Sequence, residues 1–359
     1  MNKKYWTLFK TGDSELRALE RTKYDKEFTL PIIELTRGRK SRKDQVGDIA
    51  KRIEKLKKIF SANTICLDLT TTQDLTNKQI DQLYNYNEGY KEWIEFLKIQ
   101  RNNFKEIIPS ILVDIEDEDL YENLQKQVES LCKHFKKIVY RNSIADDGCY
   151  EDIDIIAPII KEKNRTLYFV IDTEYVPTGA YKSVIEKVKI RIKKIRKIAE
   201  GVKIVIVSTS FPKYVSDIGN DYKDIFPLNE IDIYNGVSEG EKEIEYGDYC
   251  SINPIRNDGV IMARGWIPRI DVPTQTQIYY YRKRRGEDSY SDTYIEVAEE
   301  VVQDPLYPKK LSENWGIRQI NLCADGNSPG ASPSFWISVR MSIHIEQQIR
   351  RLKKLQYRD

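Results

Sequence analysis

The chain has 359 residues, of which 58 are Lys or Arg and 56 Asp or Glu; the net charge of +2 excludes whole-chain attraction to nucleic acid and leaves only local basic faces. Hydrophobic residues make up 40% and charged residues 32%, enough for a sizeable core under a heavily charged surface, and no apolar run reaches membrane-spanning length. The five cysteines (Cys66, Cys132, Cys149, Cys250 and Cys323) form no CxxC pair and are odd in number, which argues against a disulfide framework. With the polar N-terminal segment, which lacks a signal-peptide core, they predict a cytoplasmic protein with no membrane partner.

In chain order, short apolar runs alternate with longer amphipathic segments. Tyr5, Trp6, Thr7, Leu8 and Phe9 read as a short opening strand, followed by a helical turn capped by Asp13 or Ser14. Six Ile- and Val-rich runs follow: LPIIEL (30–35), TICLDL (64–69), SILVDI (110–115), KIVYRN (137–142), LYFVID (167–172) and KIVIVST (203–209). Each is too short for a buried helix and reads as a strand covered on both faces. Apolar residues at spacings of three and four predict helices over 41–60, 77–106 with a break at Gly89, 117–134, 150–163 and 181–200, the last stopped by Gly201. EIDIYNG (230–236) and YGDYCSI (246–252) read as the last two strands, joined by a loop with no helix between them. Residues 253–333 contain many of the Gly and Pro residues, the alternating QTQIYYYRKRR and a helix over 287–302, and read as an insertion over the barrel mouth. Ile337, Met341, Ile345, Ile349 and Leu352 predict a closing helix.

Strand–helix units repeated this often make a parallel sheet that closes. The predicted fold is therefore α/β, a (β/α)8 TIM-like barrel with an elaborated C-terminal rim insertion. Residues 1–252 would supply the barrel, 253–333 the rim insertion and 334–359 the closing C-terminal helix.

In such a barrel the C-terminal strand ends converge, so the polar residues that end the runs are candidates for one site. Glu34, Asp68, Asp114 and Asp172, with Arg37 and Arg141, form the expected catalytic or ligand pocket; Asp248 and Tyr249 lie at the same rim. Carboxylates beside Arg suit general acid–base work or ligation of Mg²⁺, and suit equally a structural ion-pair network. Only two His are present, His134 and His344, so a multi-His metal centre or a Cys–His pair is not expected. No GxGxxG, GxxxxGK[ST] or GxSxG occurs. Two basic stretches are candidates for nucleic acid: the helix over 181–200, and YYYRKRRGED, where Tyr279, Tyr281, Arg282, Arg284 and Arg285 combine aromatic faces with phosphate-pairing cations. The first also reads as a solvated helix face and the second as a charge-protected edge strand.

YWTLFKTGDSELRALERT at the start, LPIIELTR, YGDYCSINP followed by GWIPRIDV, and NWGIRQINLCADGNSPGASPSFWISVRMSIHI near the end stand in an order that resembles the beta protein family of phages and bacterial mobile elements. The positions matching its motifs include Lys10, Glu15, Glu34, Gly247, Asp248, Tyr249, Trp266, Arg269, Trp315, Gly316, Gly330, Ser332, Trp336 and His344. The resemblance implies an accessory protein of phage exclusion or anti-phage defence that recognises nucleic acid, or a partner toxin or effector protein encoded by a neighbouring gene. It implies no reaction and no cofactor. The alternative is an enzyme at the same mouth, a Mg²⁺-dependent phosphodiesterase or nuclease, or a carboxylate-based hydrolase. Arg269, Gly330, Ser332 and Trp336 join Asp248 and Tyr249 as expected ligand contacts: the Gly330–Ser332 loop offers either an anion site or a helix cap, and Trp336 a stacking face or a core residue.

Overall fold

The computed structural model describes residues 4–22, 24–42, 44–214, 222–241, 243–255 and 265–356. Eight parallel strands form one sheet: β1 (Tyr5–Lys10), β2 (Thr29–Leu35), β3 (Thr64–Leu69), β4 (Glu106–Pro109), β5 (Lys137–Ser143), β6 (Thr166–Tyr175), β7 (Lys203–Thr209) and, after an intervening strand, β9 (Ile244–Asp248). β1 pairs with β2 on one side and β9 on the other, and the β4–β5 seam is drawn together by the Ser110–Val139 bridge, with Ile111 N donating to Val139 O at 2.8 Å. The sheet is a nearly closed (β/α)8 barrel. Its outer helices are α1 (Asp13–Arg21), α2 (Ile49–Phe60), α3 (Lys78–Leu83), α4 (Asn87–Gln100), α5 (Leu120–His134), α6 (Cys149–Glu162), α7 (Tyr181–Ile198), α8 (Asn229–Ser238) and, at the end of the chain, α11 (Pro333–Gln356).

Three expectations need correction. The opening run YWTLFK is the first barrel strand rather than a prelude to it. EIDIYNG is helical, within α8: Ile231 and Ile233 alternate as in a strand, but Glu230, Ile233, Tyr234 and Val237 also fall on one buried helical face, and that period wins. The fourth strand is Glu106–Pro109, not 110–115. The chain leaves the sheet there because Gln127 captures both the N–H and the carbonyl of Leu112, at 2.8 Å each.

A second, antiparallel sheet of order β10-β11-β8 lies beside the barrel, built from β8 (Lys223–Pro227), β10 (Arg269–Pro273) and β11 (Gln277–Arg282). It takes one strand from the β7–α8 connection. With α9 (Tyr290–Gln303) and α10 (Trp315–Ala324) it encloses a second core that includes Ile270, Tyr279, Val297, Ile320 and Trp336. Helix α11 serves both cores: Val339 and Ile343 enter the second, whereas Met341, Ile345, Ile349 and Leu352 pack with the barrel.

Inside the barrel, Trp6, Leu8, Ile32, Cys66, Ile108, Val139, Val170, Val205 and Val207 form an apolar plug. Gly247 faces this plug where there is no room for a side chain. A Cβ there would lie 2.8 Å from Val207 Cγ2 and 2.9 Å from the Trp6 carbonyl.

Candidate functional site

The strand period of two places the residue two positions further along on the same face, one pleat nearer the strand end. Two positions beyond Leu8, Ile32, Cys66, Ile108, Val139 and Val170 stand Lys10, Glu34, Asp68, Ser110, Arg141 and Asp172. The apolar plug is therefore capped by a polar ring, completed by Tyr249 just past β9. Register holds the ring in place: Lys10 is level with Glu34 and Glu34 with Asp68.

Glu34 is the centre of the ring. Its Oε1 accepts from Lys10 Nζ at 2.6 Å, and its Oε2 from Arg141 Nη1 and Nη2 at 3.1 Å each. The other face of Arg141 meets two more acids, with Nε 3.1 Å from Asp68 Oδ2 and 4.0 Å from Asp172 Oδ2. The Asp68 contact is charge against charge without hydrogen-bond alignment, which leaves Asp68 Oδ2 without a well-aligned donor; the Ser110 hydroxyl lies beside Asp68 and Cys66. Tyr249 donates to Asp172 Oδ2 at 2.6 Å. All these acids are buried, and Arg141, whose side chain retains 17% of its exposure, is the ring's link to solvent.

The acids differ in their hold on a proton. Burial would raise the Glu34 carboxyl, but Lys10 and Arg141 outweigh it and hold the group at about 2. Asp68 is pushed up by burial and again by Glu34, with Arg141 offsetting only part. Asp172 is also pushed up by burial, against the partial opposition of Arg141 and the Tyr249 hydroxyl. Three acids thus share two cations, and the two less favoured carboxylates retain affinity for a proton or another donor. They do not suit a metal. The Arg141 guanidinium stands between them, and among the described residues no three His, Cys, Asp or Glu side chains are grouped to hold an ion.

The remaining expected residues lie elsewhere. Asp114 is on the loop beyond β4, where it accepts from Glu116 N at 3.0 Å, and Arg37 is spent on the Asp74 and Gly38 carbonyls. Asp248 faces out of the barrel toward α11. Its Oδ1 accepts from Tyr5 Oη and Cys250 N at 2.8 Å each, and its Oδ2 from Tyr246 Oη and meets His344 Nε2, both at 2.9 Å. Arg269 pairs with Asp271 at 2.9 Å. Ser332 caps α11 through Phe335 N, and Trp336 stacks on Tyr294 at 5.0 Å while donating to the Gly330 carbonyl. The aromatic part of the expected nucleic-acid strip needs correction: Tyr279 and Tyr281 point into the second core and offer no face to a base. Arg282 is half-buried, and Arg284 and Arg285 are exposed, Arg285 lying over the Tyr290 ring at 4.8 Å.

Two ring members, Lys10 and Ser110, went unread as site residues. Lys10 follows Trp6 and Leu8 in alternation, a signal that becomes visible once YWTLFK is counted as a barrel strand. A further buried acid, Glu230, sits at the start of α8 and accepts from Ser210 Oγ at 2.7 Å; burial and the nearby Asp248 push it up to about 7.

Among the described residues no helix is long and apolar enough to cross a membrane. In overall shape the chain is similar to the biosynthetic arginine decarboxylase of Campylobacter jejuni (TM-score 0.41, 9% identity, 98% of this chain and 56% of that one). It is also similar to the carboxyl transferase domain of Rhizobium etli pyruvate carboxylase with 3-bromopyruvate (TM-score 0.38, 9% identity, 97% and 48%). Likeness this distant carries nothing about chemistry. A segment is 32% identical over 132 residues to a probable polyketide synthase of Dictyostelium discoideum, but spans 33% of this chain and 5% of that protein. Over its whole length the chain is 25% identical to Protein beta of Enterobacteria phage P4, across 99% of this chain and 96% of the phage protein. The profile of the Beta protein family matches residues 5–350, and the chain belongs to that family.

Proposed function

We propose that the protein is an accessory of phage exclusion or anti-phage defence that recognises its target at the barrel mouth, the ring around Arg141 being the recognition site. The observation that carries this reading is the ring itself. Five ionisable side chains, Lys10, Glu34, Asp68, Arg141 and Asp172, crown the apolar plug of the barrel. Buried ion pairs of this kind contribute little to stability compared with apolar packing, so a network at the end of the barrel where ligands bind is better explained by a ligand. Its unspent capacity is for accepting hydrogen bonds, at Asp68 Oδ2, while both Asp172 oxygens already accept one and the cations are paired. A donor-rich group, such as a cationic side chain of a partner toxin or effector, suits it better than a phosphate. A second reading, a carboxylate-based hydrolase, is favoured by one observation: Asp68 and Asp172 flank the same guanidinium nitrogen and both hold protons more tightly than usual.

Plating efficiency of a phage panel on cells carrying the gene tests the recognition site. Asp68→Asn and Asp172→Asn are expected to fold as well as the native chain and to lose protection. If both variants accumulate normally and protect fully, the ring is not the site. A hydrolase would lose protection with Asp172→Asn yet still bind its target, whereas a recognition site would lose the binding itself.

A further inference from the structure

The connection after β2 carries a second feature, separate from the ring. Its sequence, RGRKSR over 37–42, folds back on itself as a pinned finger. Gly38 N donates to Gly47 O at 2.8 Å, and Ser41 and Asp44 exchange backbone hydrogen bonds of 2.8 and 3.1 Å. Asp44 Oδ1 takes the amides of Gly47 and Asp48, while Asn77 Nδ2 holds the Gly47 carbonyl at 3.0 Å. Gly47 has φ +71°, and a Cβ there would meet Gly38 O at 2.3 Å, so the close crossing requires glycine. Arg37, hydrogen-bonded to the Asp74 carbonyl, fixes the base.

This scaffold presents cations that no described residue neutralises. Arg39, Lys40 and Arg42 are exposed, and no ion pair or hydrogen bond to their side chains occurs among the described residues. Arg39 and Lys40 line a cleft of about 520 Å³ together with Ser14 and Ser334, whose hydroxyls, on α1 and α11, are 2.9 Å apart. Two acids also border the cleft, but Asp13 is matched by Arg52 at 2.5 Å and Glu15 is buried. Unpaired Arg and Lys that share a nucleotide-sized cleft with two hydroxyls form a donor set for a tetrahedral oxyanion, and the fixed backbone lowers the ordering cost of binding.

We propose that this cleft binds phosphate esters, with Arg39 and Lys40 as its cations, Ser14 and Ser334 as hydroxyl donors, and Arg42 extending the contact along the finger. Phosphate could come from a free nucleotide or from a nucleic acid strand, and the test separates them. Anisotropy of a short labelled single-stranded oligonucleotide is measured across a salt series with the full chain, followed by competition with adenosine triphosphate. Charge reversal at Arg39→Glu with Lys40→Glu is expected to weaken binding by about tenfold or more and to lower the salt slope by about 2. Lys133→Glu with Lys161→Glu, the same charge change on the exposed sides of α5 and α6, serves as the control and is expected to bind as the native chain does. Binding of the oligonucleotide without competition by the triphosphate assigns the cleft to a strand. Competition, or binding of the triphosphate alone, assigns it to a nucleotide. The proposal is overturned if neither binds at low salt, or if the finger variant, shown folded by circular dichroism, binds like the native chain. Arg42→Glu alone provides a milder variant should the double one misfold.

Discussion

Replacing Glu34 with Gln removes the anion on which two buried cations converge. The Glu34 carboxyl lies at about 2 against an ordinary 4.5, which corresponds to about 3 kcal/mol of native-state stability at neutral pH. That agrees with the ~3–5 kcal/mol expected when one partner of a buried ion pair is removed. The sign follows from the depressed value. The contribution is complete above about pH 4.5, where the unfolded carboxyl is ionised, and is lost as the pH falls toward 2. Urea unfolding of the native chain and Glu34→Gln should therefore differ by about 3 kcal/mol at neutral pH, with more than half of the difference gone by about pH 3. Taking the difference between the two chains cancels the titration of every other acid that behaves alike in both. An equally stable variant at neutral pH, or a difference that persists unchanged into acid, would refute the view that Lys10 and Arg141 are held by this carboxylate.

Three further outcomes follow from the buried polar groups and the barrel packing. Glu230 has its carboxyl raised to about 7, so the native chain should lose stability relative to Glu230→Gln as the pH rises from about 4.5 to 7 and then level off; parallel thermal melts across that range would reveal it. His344→Ala removes the imidazole that shares a hydrogen bond with the buried Asp248 carboxylate and should cost about 1–3 kcal/mol. Pairing it with Asp248→Asn should recover part of that loss in a chemical-denaturation cycle. Gly247→Ala forces a methyl against Val207 and the Trp6 backbone and should destabilise by about 1–3 kcal/mol or more, read as a lowered urea midpoint.

Much of this architecture was legible before the structure. Runs such as KIVIVST and LYFVID are apolar on both faces, as a strand between a barrel plug and a helix layer must be, and they sit where they were expected. The amphipathic stripes of α7 and α11 likewise announced outer helices. Glu34, Asp68, Arg141, Asp172 and Tyr249 were each marked as strand-end polar groups, and the barrel brings these five together. Asp114 was marked by the same rule and lies outside the ring, because Gln127 ends the fourth strand early through a contact between residues 15 positions apart. No local pattern records such a contact.

What the chain alone determined is the alternation, since a period of two follows from the geometry of any extended backbone and needs no partner. What only the tertiary structure decided is which of the two faces looks inward. Asp248 and Tyr249 are consecutive, each carries a polar group and both are buried, yet one locks α11 to the outside of the barrel and the other completes the ring within it. The same holds for Tyr279, Tyr280 and Tyr281, which divide between two cores rather than lining a surface. When both faces of a strand are covered, hydrophobicity no longer distinguishes inside from outside, and closure of the barrel makes the assignment.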